Sequence, residues 1–146
     1  MFSIKIDNNI IKEVTEIDIN LLFPHEQVIA DKKEILKSNF KYKDDSVIIS
    51  SIIICSESKI IIDGHHRYFA LKELGLERIP VTMINYFSDK IITDKNDSLM
   101  KHEIIENALS GKLYEPKSTK HLIYCEQKSD WFPITLISAL FNLKLN

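Results

Sequence analysis

Glycine and proline are scarce, three and four in 146 residues, and no stretch concentrates them. That excludes collagen-like and Gly/Pro-rich disordered classes, and no low-complexity linker or internal repeat divides the chain. There is no G-x-x-x-x-G-K-S/T, so a P-loop phosphate cradle is absent. Neither an H-R-D nor a D-F-G triplet occurs, which excludes a protein-kinase reading. The two cysteines, Cys55 and Cys125, are far apart, in apolar surroundings, with no C-x-x-C pair and no histidine at metal-ligand spacing. They are expected as buried free thiols in a reducing compartment. No apolar run reaches about 18 residues, and the start, MFSIKIDNN, lacks a charged segment followed by an apolar one. The expectation is a soluble, cytoplasmic protein without a membrane partner. Neither charge dominates: 19 Lys and Arg against 21 Asp and Glu leave a net charge of −2. No global basic field favours a nucleic acid partner.

What is present, 45% apolar and 27% charged residues, predicts one compact domain over residues 1–146 with a sizeable core. Ser3 to Asp7 and Val14 to Ile19 alternate as half-buried strands do, and Phe23-Pro24 ends the second run. Gln27 to Lys37 carries Val28, Ile29, Ile35 and Leu36 among charges and reads as a helix, followed by a polar loop, Lys41 to Ser46. Val47 to Cys55 is a β-branched strand run, Ser56 to Ser58 a turn, and Lys59 to Ile62 a returning strand, together a hairpin. Ile79 to Asn85 is a further strand. Ser88 to Ser98 is a polar loop, either a lid or a surface connection. Leu99 to Ser110 predicts a helix with Ile104, Ile105, Ala108 and Leu109 inward and Gly111 at its end. Trp131 to Leu145, with Pro133 near its start, reads as a final helix on the core.

The stretch IIDGHHRYFALKELGLERIPV, Ile61 to Val81, carries the strongest chemical signal. Isoleucines 60 to 62 form a buried strand, Gly64 permits a tight turn, and Ala70, Leu71 and Leu74 have helical spacing before Gly75 stops the helix. Asp63 to Arg67 therefore straddles a helix N-terminus. Free backbone N–H groups and the helix dipole favour a phosphate there, and Gly64 lets it approach the main chain. Arg67 offers a planar fork suited to an oxyanion. His65 and His66 add donors, one of them expected to point into the protein. Tyr68 and Phe69 read as core, with base stacking the alternative.

These residues resemble the glycine box of the ParB/sulfiredoxin superfamily in its DGHHR form, which is similar to the free L-serine kinases of archaea and of staphylococcal siderophore pathways. LFPHEQV (Leu22 to Val28) looks like that group's LxPHE element, and GKLYEPKSTKH (Gly111 to His121) like its GxLxPPKTTRH element. The resemblance implies an α/β (α+β) fold, a small mixed sheet flanked by helices, and transfer of a phosphoryl group from ATP or ADP to the hydroxyl of L-serine, with Mg²⁺. Its partners would be small molecules, the nucleotide and L-serine. Glu115 stands where a second proline is expected and Lys120 where arginine is usual. The tryptophan expected after Tyr86 is missing.

By the resemblance Glu26 is the general base toward the serine hydroxyl; by local sequence alone it is a surface glutamate opening the next helix. Asp63 is a Mg²⁺ ligand, a second catalytic carboxylate orienting the acceptor, or an N-cap. Gly64, His65, His66 and Arg67 would hold nucleotide phosphates. Lys117, Ser118, Thr119, Lys120 and His121 would wrap the transferred phosphate or form only a solvated basic turn. The competing reading is a ParB-like nucleotide-binding or DNA-associated regulatory module without turnover, although no helix-turn-helix follows the glycine box.

Overall fold

The computed structural model describes residues 4–40, 46–96 and 99–144. In chain order the elements are β1 (Ile11–Asp18), α1 (Ala30–Phe40), β2 (Ser46–Ser50), β3 (Ile52–Cys55), β4 (Ile61–Asp63), α2 (His65–Glu73), β5 (Arg78–Ile84), β6 (Ile91–Ile92), α3 (Lys101–Leu109), β7 (Leu122–Cys125), β8 (Asp130–Pro133) and β9 (Leu140–Lys144). Single 3-10 turns, Ile19–Leu21 and Ile134–Ile137, follow β1 and β8. The main sheet has the order β1-β5-β3-β4. β3 and β5 run parallel, and the β1–β5 and β3–β4 pairs are antiparallel, so the sheet is mixed. Small sheets β2-β9 and β6-β7-β8 complete the α+β architecture.

The main sheet is covered on both faces, and the period of two along each strand sorts its side chains into two cores. Ile52 and Ile54 of β3 join Ile61, Leu71, Ile79, Val81 and Met83 on the α2 side. Ile53 and Cys55 join Ile60, Ile62, Ile84, Tyr86, Ile104 and Ala108 on the α3 side. β3 is wholly buried because both its faces meet a core. Cys55 and Cys125 are buried free thiols, as expected.

The expected hairpin and the helix after Gly64 are both present. Gly75 (φ +83°) ends α2: its N–H donates to Lys72 O at 3.0 Å and Leu76 N–H to Leu71 O at 3.2 Å. This is the paired closure that a left-handed residue allows. Gly111 closes α3 in the same way.

Other expectations need correction. The Ser3–Asp7 strand is not formed over its described residues, 4–7. Asp7 instead nucleates a turn, its Oδ1 accepting from Asn9 N–H and its carbonyl from Ile10 N–H. The helix predicted from Gln27 begins at Ala30, because Phe23 and Glu26 form β-bridges to Ile60 and Tyr114 and keep the chain extended. The Val47–Cys55 run is two strands in different sheets. Ser51 breaks it, giving its N–H to Ala139 O and its Oγ as acceptor to Ala139 N–H. Of the expected Lys41–Ser46 loop, residues 41–45 lie outside the described residues and Ser46 already belongs to β2. Ser88–Ser98 contains the short strand β6, paired with β7; residues 97 and 98 lie outside the described set. Within α3, Ile104 and Ala108 are buried, Ile105 is half-buried, and Leu109 points outward at 51% exposure. The tail is not a helix. Trp131 and Phe132 pair across to β7, and Leu140–Lys144 pairs with β2, so aromatic and β-compatible residues find ladder partners that helical spacing could not reveal. No helix among the described residues is long and apolar enough to cross a membrane.

At the β4–α2 junction Gly64 has φ +106°, and a Cβ built there would lie 2.8 Å from Arg67 Nη2 and 3.2 Å from Ile52 Cγ1. At Gly75 nothing lies within 4 Å. Gly75→Ala is therefore expected to cost about 1 kcal/mol for its left-handed backbone, and Gly64→Ala about 1–3 kcal/mol more for crowding. Urea denaturation of the two variants checks this; equal losses would show that the guanidinium does not crowd Gly64.

Candidate active site

Three chain segments meet at one open pocket of about 680 Å³. The first is the extended stretch before α1, carrying His25 and Glu26. The second is the β4–α2 corner, Asp63 to Arg67. The third is the segment before β7, residues 117–121. An apolar wall from Leu36, Ile48, Ile49 and Pro133 to Thr135 continues the pocket.

Glu26 is buried, 7% exposed, and does not open a helix, which corrects the surface reading. Its Oε1 accepts from Lys117 N–H at 2.8 Å and its Oε2 from Thr119 N–H at 3.1 Å and from the Thr119 hydroxyl. Lys117 at φ +60° turns the chain so that these N–H groups converge on one carboxylate. A carboxylate has about four lone-pair sites, so three donors leave room for one more partner from the pocket.

At the corner, α2 begins with Gly64 as N-cap and no side-chain cap, so the N-cap role considered for Asp63 is not taken up. Asp63 instead faces Arg67, its Oδ2 3.6 Å from Nη2. Arg67 also donates from Nη2 to Ser51 O at 3.2 Å, while its buried Nε has no protein partner. The first residues of α2, His65 to Arg67, line the pocket, so an uncapped helix N-terminus of the kind that suits an anion borders it.

The two histidines divide their roles. His65 points inward, its Nε2 accepting from His25 N–H at 3.0 Å. Burial first, and then the neighbouring His25, His121, His66 and Arg67, push its pKa well below the ordinary value. His66 sits at the rim, its Nε2 accepting from Ile29 N–H at 3.1 Å. Partial burial and the charges of Lys32, Lys117 and Arg67 lower its pKa too. Lys32 of α1 escaped the sequence reading; its ammonium is set against that of Lys117, whose contact lowers its pKa. Its helical neighbours gave no signal of this long-range meeting.

In the third segment Lys117 and Lys120 are exposed and line the pocket, whereas Ser118 Oγ turns back to Glu115 O at 2.7 Å. Thr119 is buried against Glu26. His121 is buried beside Tyr86, with Nε2 2.8 Å from the phenol oxygen, and its buried Nδ1 has no protein partner. Burial lowers the His121 pKa to about 3 and raises that of Tyr86. Tyr68 is core, packed edge-on to Phe69. Among the described residues no group of three or more His, Cys, Asp and Glu could hold a metal by protein ligands alone. Asp63 on the pocket wall suits a cation that takes one carboxylate and completes its shell with phosphates and water.

No family model matches the chain. The chain is 32% identical over 79 residues, 51% of its length, to an ATP-dependent L-serine kinase of Staphylothermus marinus, of which it covers 31%. It is 43% identical over 72 residues, 48% of its length, to a ParB-like protein of Sulfolobus acidocaldarius, of which it covers 34%. The chain thus spans about a third of the length of these curated relatives. A solved structure of free serine kinase in complex with AMP superposes over 99% of this chain and 95% of that one, with TM-score 0.66 and 16% identity. The chain has the fold of that enzyme, and the expected ParB/sulfiredoxin-like, serine-kinase-like resemblance is borne out.

The buried histidines predict an acid-sensitive fold. His25, lowered by burial to about 4, and His121, lowered to about 3, both sit below the ordinary 6.5. As pH falls the unfolded chain takes up these protons first. Stability is therefore full above about pH 7 and declines through the window below 6.5, by up to about 1.4 kcal/mol per pH unit for each group. Urea midpoints measured between about pH 7 and about pH 4.5 read this decline, and a flat profile would contradict it.

Proposed function

We propose that this chain, as a single domain, is a free amino-acid kinase that transfers a phosphoryl group from ATP or ADP to the hydroxyl of L-serine, giving O-phospho-L-serine. The observation that carries the reading is that Glu26 and the first residues of α2 line one pocket, with Lys117 and Lys120 on its wall. The fold shared with free serine kinase and the similarity to an ATP-dependent L-serine kinase support it.

Phosphoryl transfer asks the protein mainly for positioning and charge stabilisation. The N–H groups of His65 to Arg67, with the Arg67 guanidinium, would hold the donor's phosphates. Lys117 and Lys120 would neutralise charge on the group in flight, with His121 on the same pocket wall. Lys120 acts as a point charge where arginine would make a bidentate fork. Mg²⁺, when bound with the nucleotide, would be held by Asp63 and would supply charge neutralisation. Glu26 takes the proton as the serine oxygen attacks phosphorus in line; the new O–P bond forms while the bond to the departing nucleotide breaks. The apolar wall around Leu36, Ile48 and Ile49 suits a nucleobase or the body of the amino acid. Such an enzyme would work in the cytoplasm, where its small-molecule substrates are.

A second reading, a nucleotide-binding regulatory module without turnover, is favoured by one observation: three donors of the 117–119 segment already engage Glu26. Mass spectrometry after incubation with L-serine, Mg²⁺ and either ATP or ADP separates the two. The kinase reading expects O-phosphoserine from the wild type and a loss of about 10²-fold or more for Glu26→Gln. Nucleotide binding without product would overturn it in favour of the module.

A further inference from the structure

The two histidines at the start of α2 both turn an acceptor to the stretch that carries Glu26. His65 Nε2 accepts from His25 N–H at 3.0 Å, and His66 Nε2 accepts from Ile29 N–H at 3.1 Å. Successive residues of a helix are turned by about 100°. One ring therefore goes inward and the other to the rim, and together they reach two donors on either side of Glu26. An N–H group only donates, so each Nε2 presents a lone pair, and the single proton of each neutral ring belongs on Nδ1. Burial, followed by His25, His121, His66 and Arg67, favours the uncharged form of His65; partial burial with Lys32, Lys117 and Arg67 does so for His66.

The stretch depends on these acceptors. Tyr114 holds it from the chain that leads to Lys117: Tyr114 N–H donates to His25 O at 2.7 Å and Gln27 N–H to Tyr114 O at 2.8 Å. The N–H groups of His25 and Ile29 go instead to the two rings. Without the imidazoles both donors lose their partners, and the one at His25 is buried, where an unpaired N–H is costly. Farther along, Lys33 and Lys37 of α1 meet Glu73 near the end of α2 at 2.6 and 3.5 Å. The chain on the α1 side is thus tied to both ends of α2.

We propose that His65 and His66 are positioning residues, whose Nε2 atoms clamp the 25–29 stretch to the first turn of α2 and so set where the Glu26 carboxylate stands in the pocket. The inference rests on Glu26 being the base of the proposed kinase. It replaces the phosphate-holding role expected of these two side chains and leaves phosphates to the main chain of α2 and to Arg67.

Two substitutions separate the roles. Glutamine carries its amide about where Nε2 stands and keeps an acceptor there; asparagine carries its amide about where Nδ1 stands and keeps only that donor. The clamp predicts that His66→Asn lowers kcat by about 10- to 100-fold, the scale of a misplaced catalytic group, with the Kd of ADP and Mg²⁺ nearly unchanged, and that His66→Gln restores most of the loss. The opposite order, with glutamine weakening ADP and asparagine the milder change, would show that the ring grips phosphate through Nδ1 and overturns the clamp. NMR of ¹⁵N-labelled protein reads the bonds without turnover. Scalar couplings across N–H···N should join the Ile29 amide to His66 Nε2 and the His25 amide to His65 Nε2, with both ring protons on Nδ1. In His66→Asn the amides of Lys117 and Thr119, which donate to Glu26, should shift together with that of Ile29, and in His66→Gln they should return. Where an asparagine variant does not fold, the wild-type couplings still decide. Ring protons found on Nε2, or Lys117 and Thr119 amides that stay fixed when His66 is replaced, overturn the proposal. Couplings and coupled shifts in a protein that makes no O-phosphoserine would keep the clamp and reject the kinase reading.

Discussion

The carboxylate of Glu26 is the point at which the pocket is closed. It gathers two main-chain N–H groups and a hydroxyl from residues 117–119, and so pins the segment leading into β7 against the extended stretch that leads into α1. Around that junction the backbone continues the same clamp: Tyr114 N–H donates to His25 O at 2.7 Å and Gln27 N–H to Tyr114 O at 2.8 Å. A buried carboxylate is costly unless it is hydrogen-bonded. Here the bonding partners come from a segment some ninety residues away in the chain, so folding of the pocket and satisfaction of this charge are one event.

The corner at Gly64 supplies the opposite wall. Its left-handed backbone and missing Cβ let Arg67 fold back over the turn toward Ser51. The guanidinium is thereby structural at Nη2, while its Nε is buried without a protein partner. The histidines are similarly divided: His25, His65 and His121 are kept neutral by burial, whereas His66 lies at the rim beside Lys32 and Lys117. Cationic charge thus stays at the mouth of the pocket, and the buried imidazoles of His65 and His121 line its depth.

Much of this was legible in the sequence where the signal was local. The strand, glycine and helix around Gly64 need only neighbouring residues to explain them, and they form as expected. The helix stops at Gly75 and Gly111 follow the same rule. Glu26 stood out as a candidate only through its segment's resemblance; local propensity assigned it to a helix start, because the tie to Lys117 and Thr119 is long-range. The tail was misread for a related reason. Trp131 to Leu145 has apolar residues at spacings compatible with a helix, and among its described residues the availability of β7 and β2 as ladder partners puts Trp131–Pro133 and Leu140–Lys144 in strands. The break at Ser51 was hidden inside a continuous apolar run, where periodicity carries no information about which sheet each half will join.

If nucleotide phosphates bind between the α2 N-terminus and the 117–121 segment, titrating ADP with Mg²⁺ into ¹⁵N-labelled protein should give saturable backbone-amide shifts concentrated at Gly64 to Arg67 and Lys117 to His121. No response there, or a response confined to another face of the protein, would show that the phosphates bind elsewhere or not at all.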